Sequence, residues 1–274
     1  MVEEYVLVGC LGLALGSFLN VCVFRVPKQK SVLWPRSFCP HCRRPLRVWE
    51  NIPVLSFLWL RGHCRQCRHP IGWVYPTVEV STAVLMLVLF DRFGLQPALF
   101  VNALFFSLLV VLVFIDLFER LLPDVITLSG TGAGLLLSSF QTASFFQDDS
   151  FLSRFEPFWI PFAGSLLGIV AGGGILWLVA ILYLRIRKIE GLGFGDIKMM
   201  ALVGAFLGWR YAWLTILMGS LLGVVLGSLY MLLSGRDRRY ELPFGTFLGI
   251  AALGVTLWGP ELLDWYFSFL EKSS

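Results

Sequence analysis

Gly193-Phe194-Gly195-Asp196-Ile197-Lys198 sets a carboxylate at the mouth of an apolar helix, between two glycines and a lysine. An ionisable residue entering a membrane segment is costly, which marks it as a candidate functional group. Phe114-Ile115-Asp116-Leu117 supplies a second carboxylate at the far end of another apolar run. Two close carboxylates can share one proton, so that one acts as a base and the other as an acid. The base activates a water against a peptide carbonyl, and the acid protonates the leaving amine. Asp116 and Asp196 therefore point to aspartyl hydrolysis at a bilayer surface. Gly193 and Gly195 would let an extended peptide approach closely.

Each carboxylate has a plainer reading. Asp116 can pair with Arg120 one turn on, and Asp196 can serve as a helix N-cap. Singly, those readings are the stronger ones; together on one membrane face, the pair favours catalysis. Asp124 is a rival for the first role, but Leu122-Pro123-Asp124 reads better as punctuation at a helix start. Lys198 can lie beside a carboxylate and lower its pKa or snorkel to the interface, and snorkelling is the favoured reading. Glu79, just inside the second span, is an intramembrane carboxylate and a further candidate. Asn20 is a buried polar group suited to bonding another helix.

A second chemistry sits in one polar loop. Cys39-Pro40-His41-Cys42 and Cys64-Arg65-Gln66-Cys67 form C-x2-C, 21 intervening residues, C-x2-C. Cys39, Cys42, Cys64 and Cys67 supply the four thiolates of a structural zinc site, with no open position for metal chemistry. His41 and His69 read as surface residues. Cys10 and Cys22 lie in the first apolar run and take no role.

The elements that position these groups are membrane helices. The chain has 274 residues, 57% hydrophobic and only 15% charged, against about 25% charged in soluble domains. A soluble globular enzyme is excluded. The expected fold is all-α and polytopic, with about eight spans of roughly 20 residues. They fall near 5–26, 76–91, 97–116, 123–140, 158–184, 197–209, 211–233 and 244–268, and the boundary at Trp209-Arg210-Tyr211 is weakly marked. The first run has Glu3 and Glu4 before it and is too long for a signal peptide, so it reads as a retained span. The division expected is a first helix at 1–26, a cytoplasmic four-cysteine loop at 27–75 and a membrane-embedded aspartyl peptidase domain at 76–274. A loop of that size buries little core and usually needs a metal or disulfides, of which a reducing compartment disfavours disulfides. The segment 141–157 reads as a polar outer loop.

Charge orients the spans. Ten Lys or Arg lie between Arg25 and Tyr75 against one Glu50. With eight alternating spans, eighteen basic residues share one side and four the other. The basic side should be cytoplasmic, with both termini periplasmic. That topology also brings Asp116 and Asp196 to the same face. The expected surroundings are membrane lipid, with no nucleic-acid partner.

Several stretches together resemble the type IV prepilin peptidases, bifunctional membrane enzymes with leader-peptidase and N-methyltransferase activity. They are Gly16-Ser17-Phe18-Leu19-Asn20-Val21 through Arg25-Val26-Pro27, both cysteine pairs, Glu50-Asn51-Ile52-Pro53-Val54-Leu55-Ser56 and Leu60-Arg61-Gly62-His63. Tyr75-Pro76-Thr77-Val78-Glu79, Asp116 with Leu122-Pro123-Asp124, and Gly193 to Lys198 complete the match. The resemblance implies cleavage of type IV prepilins or type II secretion pseudopilins at the cytoplasmic face of the bacterial inner membrane. Asp116 and Asp196 match the two catalytic aspartates, the second in the GxGD motif. The new N-terminal residue would then be methylated using S-adenosylmethionine. The cysteine loop matches the region tied to methylation, and Gly62 matches a glycine associated with that activity. No glycine-rich Rossmann turn is present for the cofactor, which leaves Gly62, Glu79 and Asn20 as candidate contacts. The competing class is a membrane assembly scaffold whose zinc loop docks a partner.

Overall fold

The computed structural model describes residues 2–140, 160–188, 192–234 and 242–273. The segment 141–157 and the Arg236 to Arg239 cluster lie outside them. Among the described residues eight α-helices follow one another: α1 Val2–Arg25, α2 Leu55–Trp59, α3 Val74–Phe93, α4 Pro97–Glu119, α5 Asp124–Leu137, α6 Ile160–Arg187, α7 Phe194–Ser234 and α8 Phe244–Ser273. Six of them (α1, α3, α4, α6, α7 and α8) are long and apolar enough to cross a membrane. Large apolar side chains such as Leu128, Val170, Leu178 and Val224 point outward, as they do on helices whose solvent is lipid. The chain is a multi-pass membrane protein.

The eightfold expectation holds approximately. α5 has 14 residues, about 21 Å at 1.5 Å per residue, which is shorter than a bilayer core of about 30 Å. α7 is two helices joined at Gly208, whose backbone is non-helical at φ 77° and ψ 176°. A methyl placed on Gly172 of α6 would lie 3.2 Å from the Met200 carbonyl carbon and 3.4 Å from Ala212 Cβ. Those two residues of α7 would be about 18 Å apart along a straight helix. The chain therefore turns back at Gly208, one residue before the expected boundary. Glycine suits that site because a positive φ is strained for other residues.

The chain forms two compact units, Met1–Leu99 and Phe100–Ser274. In the first, α1 and α3 run antiparallel with their backbones almost touching. A Cβ on Gly12 would stand 2.7 Å from Ala83 Cα, and one on Gly16 would stand 2.7 Å from Glu79 Cα. Small residues permit this approach, which brings van der Waals contact and interhelical hydrogen bonds. Tyr5 Oη donates to Asp91 at 2.7 Å, and Asn20 Nδ2 donates to the Tyr75 carbonyl at 3.0 Å, as expected for a polar group that bonds another helix.

In the second unit Phe105 of α4 stacks on Phe206 of α7 at 4.6 Å. Met199, Met200, Leu202 and Leu248 are fully buried around them. Gly168 of α6 meets Gly204 of α7 backbone to backbone, and Ser165 Oγ donates to the Ala205 carbonyl at 2.6 Å. This dense centre packs α4 and α6 against the first half of α7, just ahead of Gly208.

Candidate active site and metal centre

Asp116 closes α4 and Asp196 lies in the first turn of α7. Both are buried, at 5% and 8% exposure. Leu122 lies between them: a Cβ on Gly195, next to Asp196, would stand 3.2 Å from Leu122 Cδ1, and one on Gly245 would stand 2.9 Å from that same atom and 3.1 Å from Asp116 Cγ. Two carboxyls that are remote in sequence thus come to either side of Leu122 at one end of the second unit. The positive charge of Arg120 acts on Asp116.

Asp196 is the third residue of α7, which begins at Phe194, and its carboxyl lies back against Gly193 at the helix start. Its amide donates to the Gly193 carbonyl at 3.2 Å, and a Cβ on Gly193 would sit 3.2 Å from Asp196 Oδ2. At Gly195 a Cβ would stand 2.8 Å from Leu122 Cβ. That glycine therefore makes room for Leu122 of the same chain rather than for an incoming peptide.

Asp124 is the first residue of α5, and its Oδ1 meets Lys198 Nζ at 2.7 Å. Lys198 also lies 5.9 Å from the centre of the Phe194 ring. Of the two sequence readings of Lys198, the structure bears out the less favoured one, a carboxylate neighbour, and identifies it as Asp124. The partners are 74 residues apart, and no local pattern joins them.

Thr246, on α8, was not singled out in the sequence. Its amide donates to Asp116 Oδ2 at 2.6 Å and its hydroxyl donates to the same oxygen at 2.9 Å. Gly245 lies against the same carboxylate: a Cβ there would be 3.1 Å from Asp116 Cγ and Oδ2. The one sequence signal was a polar residue in the first turn of an apolar span, just after a glycine.

The first unit holds the cysteine centre. The ligand atoms of Cys39, Cys42, Cys64 and Cys67 all lie within 4.8 Å of one another. Cys39 and Cys67 Sγ are 3.8 Å apart, which matches the edge of about 3.8 Å expected for a tetrahedron with Zn–S bonds of about 2.3 Å. These four residues can hold a metal ion, and the geometry fits zinc.

The two halves of the centre repeat each other. Arg43 N donates to the Cys39 carbonyl at 2.8 Å, and Arg68 N to the Cys64 carbonyl at 2.9 Å. Cys39 N donates to Arg44 and Cys64 N to His69, each at 2.9 Å. Leu46 N donates to Ser37 at 2.8 Å and Ile71 N to Gly62 at 2.7 Å. Arg43 and Arg68 both adopt positive φ, 55° and 53°. The pattern C-x2-C-R-x-P at 39–45 and 64–70 carries this repeat in the sequence. His41 and His69 are exposed and stack at 4.5 Å.

Gly62 has φ +69° and a Cβ there would be 3.2 Å from Phe57 Cζ. Its amide donates to the Phe57 carbonyl at 2.9 Å. The turn after α2 thus favours glycine on backbone grounds alone, since a side chain would be strained there and would press on the Phe57 ring. Glu50 is buried and held by Arg44 at 2.5 Å and by the Arg47 amide at 2.9 Å. Burial alone would raise its pKa, but the Arg47 amide and the Arg44 guanidinium outweigh that and leave it lowered. Glu79 Oε2 accepts from the amide of Val54 at 2.8 Å. Val54 itself has φ 59°, a strained conformation for a β-branched residue. Asn20 Oδ1 is buried and finds no partner among the described residues.

The model of the bacterial peptidase A24 N-terminal domain matches residues 10–93, and that of the type IV leader peptidase family matches residues 103–228. The chain is 36% identical to a prepilin leader peptidase/N-methyltransferase of Legionella pneumophila, covering 97% of this chain and 95% of the relative. It is 36% identical to one from Pseudomonas putida, over 92% of this chain and 90% of the relative. A third, from Pseudomonas aeruginosa, is 34% identical over 94% and 92%. No solved structure matches the chain. Both halves are thus matched in order, and the whole length aligns with relatives of nearly equal size: the chain belongs to the type IV leader peptidase family.

Proposed function

We propose that this protein cleaves the leader from type IV prepilins or type II secretion pseudopilins, using Asp116 and Asp196, and then methylates the new N-terminus. What supports the cleavage is that two buried aspartates from distant parts of the chain lie to either side of Leu122 at one end of the second unit. One carboxylate takes a proton from water as its oxygen attacks the scissile carbonyl, and the other gives a proton to the leaving nitrogen. The site lies at the cytoplasmic face of the bacterial inner membrane and both termini are periplasmic, a reading supported by the eighteen-to-four distribution of basic residues.

Cys39, Cys42, Cys64 and Cys67 hold a structural zinc that joins the two knuckles of the loop. S-adenosylmethionine supplies the methyl group to the freed α-amine. That amine has an ordinary pKa of about 7.7–8.0 and loses its proton without a strong base. Gly62 and Glu79 are the proposed contacts for the cofactor. Glu79 and Asn20 Oδ1, which has no partner among the described residues, both belong to the first unit and are acceptors. That set fits an ammonium, as carried by the methyl donor and by the amine it modifies.

Mass spectrometry of a prepilin incubated with membranes carrying the chain, with and without S-adenosylmethionine, tests the whole reading. Leader loss should vanish in Asp116→Asn and in Asp196→Asn, and one methyl should appear only with the cofactor. Cleavage that persists in either variant removes that aspartate from the mechanism. Tolerance of both substitutions would fit a non-enzymatic assembly scaffold instead.

A further inference from the structure

α8 begins at Phe244, and its third residue touches the candidate dyad. Helix starts leave amide N–H groups without intrahelical partners. One such amide, on Thr246, is satisfied by Asp116 of another helix at 2.6 Å. The Thr246 hydroxyl reaches the same Oδ2 at 2.9 Å, while its alternative acceptor, the Val113 carbonyl, is farther away at 3.4 Å. One hydroxyl proton serves one strong bond, and the shorter contact goes to the carboxylate.

Two donors on one oxygen define that oxygen's state. A carboxylate oxygen accepting twice has no place for a proton directed at either donor. Asp116 Oδ2 is therefore an acceptor, and the proton taken in the reaction must go to Oδ1. The two donors also fix rotation about Cβ–Cγ, because only one orientation satisfies both. Gly245 makes the approach feasible, since a side chain there would be 3.1 Å from the same carboxylate. Thr246 is itself buried, at 5% exposure, which strengthens a hydrogen bond to a carboxylate.

We infer that Thr246 is the positioning residue of the peptidase reaction: it holds Asp116 Oδ2 by two hydrogen bonds and so presents Oδ1 as the base. This rests on the Asp116 and Asp196 reading above. In the step, water oxygen bonds to the scissile carbonyl carbon and a water proton passes to Asp116 Oδ1. Asp196 then donates its proton to the leaving nitrogen as the carbon–nitrogen bond breaks. Asp116 ends protonated and Asp196 ionised, and a proton passing between them restores the start.

The test uses the full-length chain in detergent with a prepilin substrate, comparing Thr246→Val, Thr246→Ser, Thr246→Ala and Asp116→Asn for kcat, KM and thermal unfolding. Val keeps the shape and the backbone amide and removes only the hydroxyl. A hydrogen bond to a charged group predicts a kcat about ten- to a hundredfold lower with KM unchanged. Ser should restore kcat to within about threefold, and Ala should match Val. A normal kcat in Val or in Ala, with Asp116→Asn inactive, overturns the positioning role and leaves the dyad standing. Equal loss in Ser and Val, or loss that tracks a lowered unfolding temperature, also overturns it by making Thr246 merely structural. Wild-type cleavage by Asp116→Asn sinks the dyad reading itself, and this inference with it.

Discussion

Removing one cysteine from the metal centre should unfold the loop without stopping cleavage. Between residues 27 and 73 only Cys39, Glu50, Phe57 and Cys64 are buried. Fully burying one phenylalanine contributes about 2–3 kcal/mol. Structural zinc in comparable small modules contributes about 10–16 kcal/mol. The metal therefore outweighs the apolar core of the loop several times over, and Cys64→Ser should undo the module. Metal analysis should fall from one zinc per chain to below about a tenth. Hydrogen exchange at the amides of Cys39, Leu46, Cys64 and Ile71, all bonded within the knuckles, should speed up at least about a hundredfold, equivalent to about 3 kcal/mol lost. Cleavage should stay within about threefold, because Asp116, Asp196 and Thr246 belong to the other compact unit. Methylation should disappear. Full amide protection in a zinc-free Cys64→Ser chain would refute the reasoning, since it would mean that side-chain packing alone holds the knuckles.

Asp124→Asn should cut cleavage by no more than about fivefold, because the Asp124 side chain is 59% exposed and such pairs are worth about 0–1 kcal/mol. Steady-state kinetics on one prepilin would check it, and abolished activity would return Asp124 to the catalytic candidates. Gly245→Ala should lower kcat about three- to tenfold. Its Cβ would meet the Asp116 carboxylate at 3.1 Å and Leu122 Cδ1 at 2.9 Å, and an ångström of misplacement costs about a hundredfold. An unchanged kcat would show that the carboxylate has room to move.

The sequence by itself determined the class of the protein and most of its chemistry. Apolar runs of span length, the charge on Asp116 and Asp196 at helix ends, and the cysteine spacing are local facts. Local facts survive without knowing which helix neighbours which. Burial and hydrogen-bond partners are different, because they depend on contacts between residues far apart in the chain. Only the tertiary structure paired Lys198 with Asp124, set Gly195 against Leu122, and brought Thr246 to Asp116 across 130 residues. It also moved the reversal in α7 to Gly208, since a glycine in a glycine-rich apolar stretch does not announce a positive φ. The knuckle repeat was present in the sequence as C-x2-C-R-x-P, but its matching backbone bonds emerge only when both halves fold around a shared centre. Type and spacing fix which groups are available for chemistry, whereas packing decides which oxygen of which carboxylate is free to perform it.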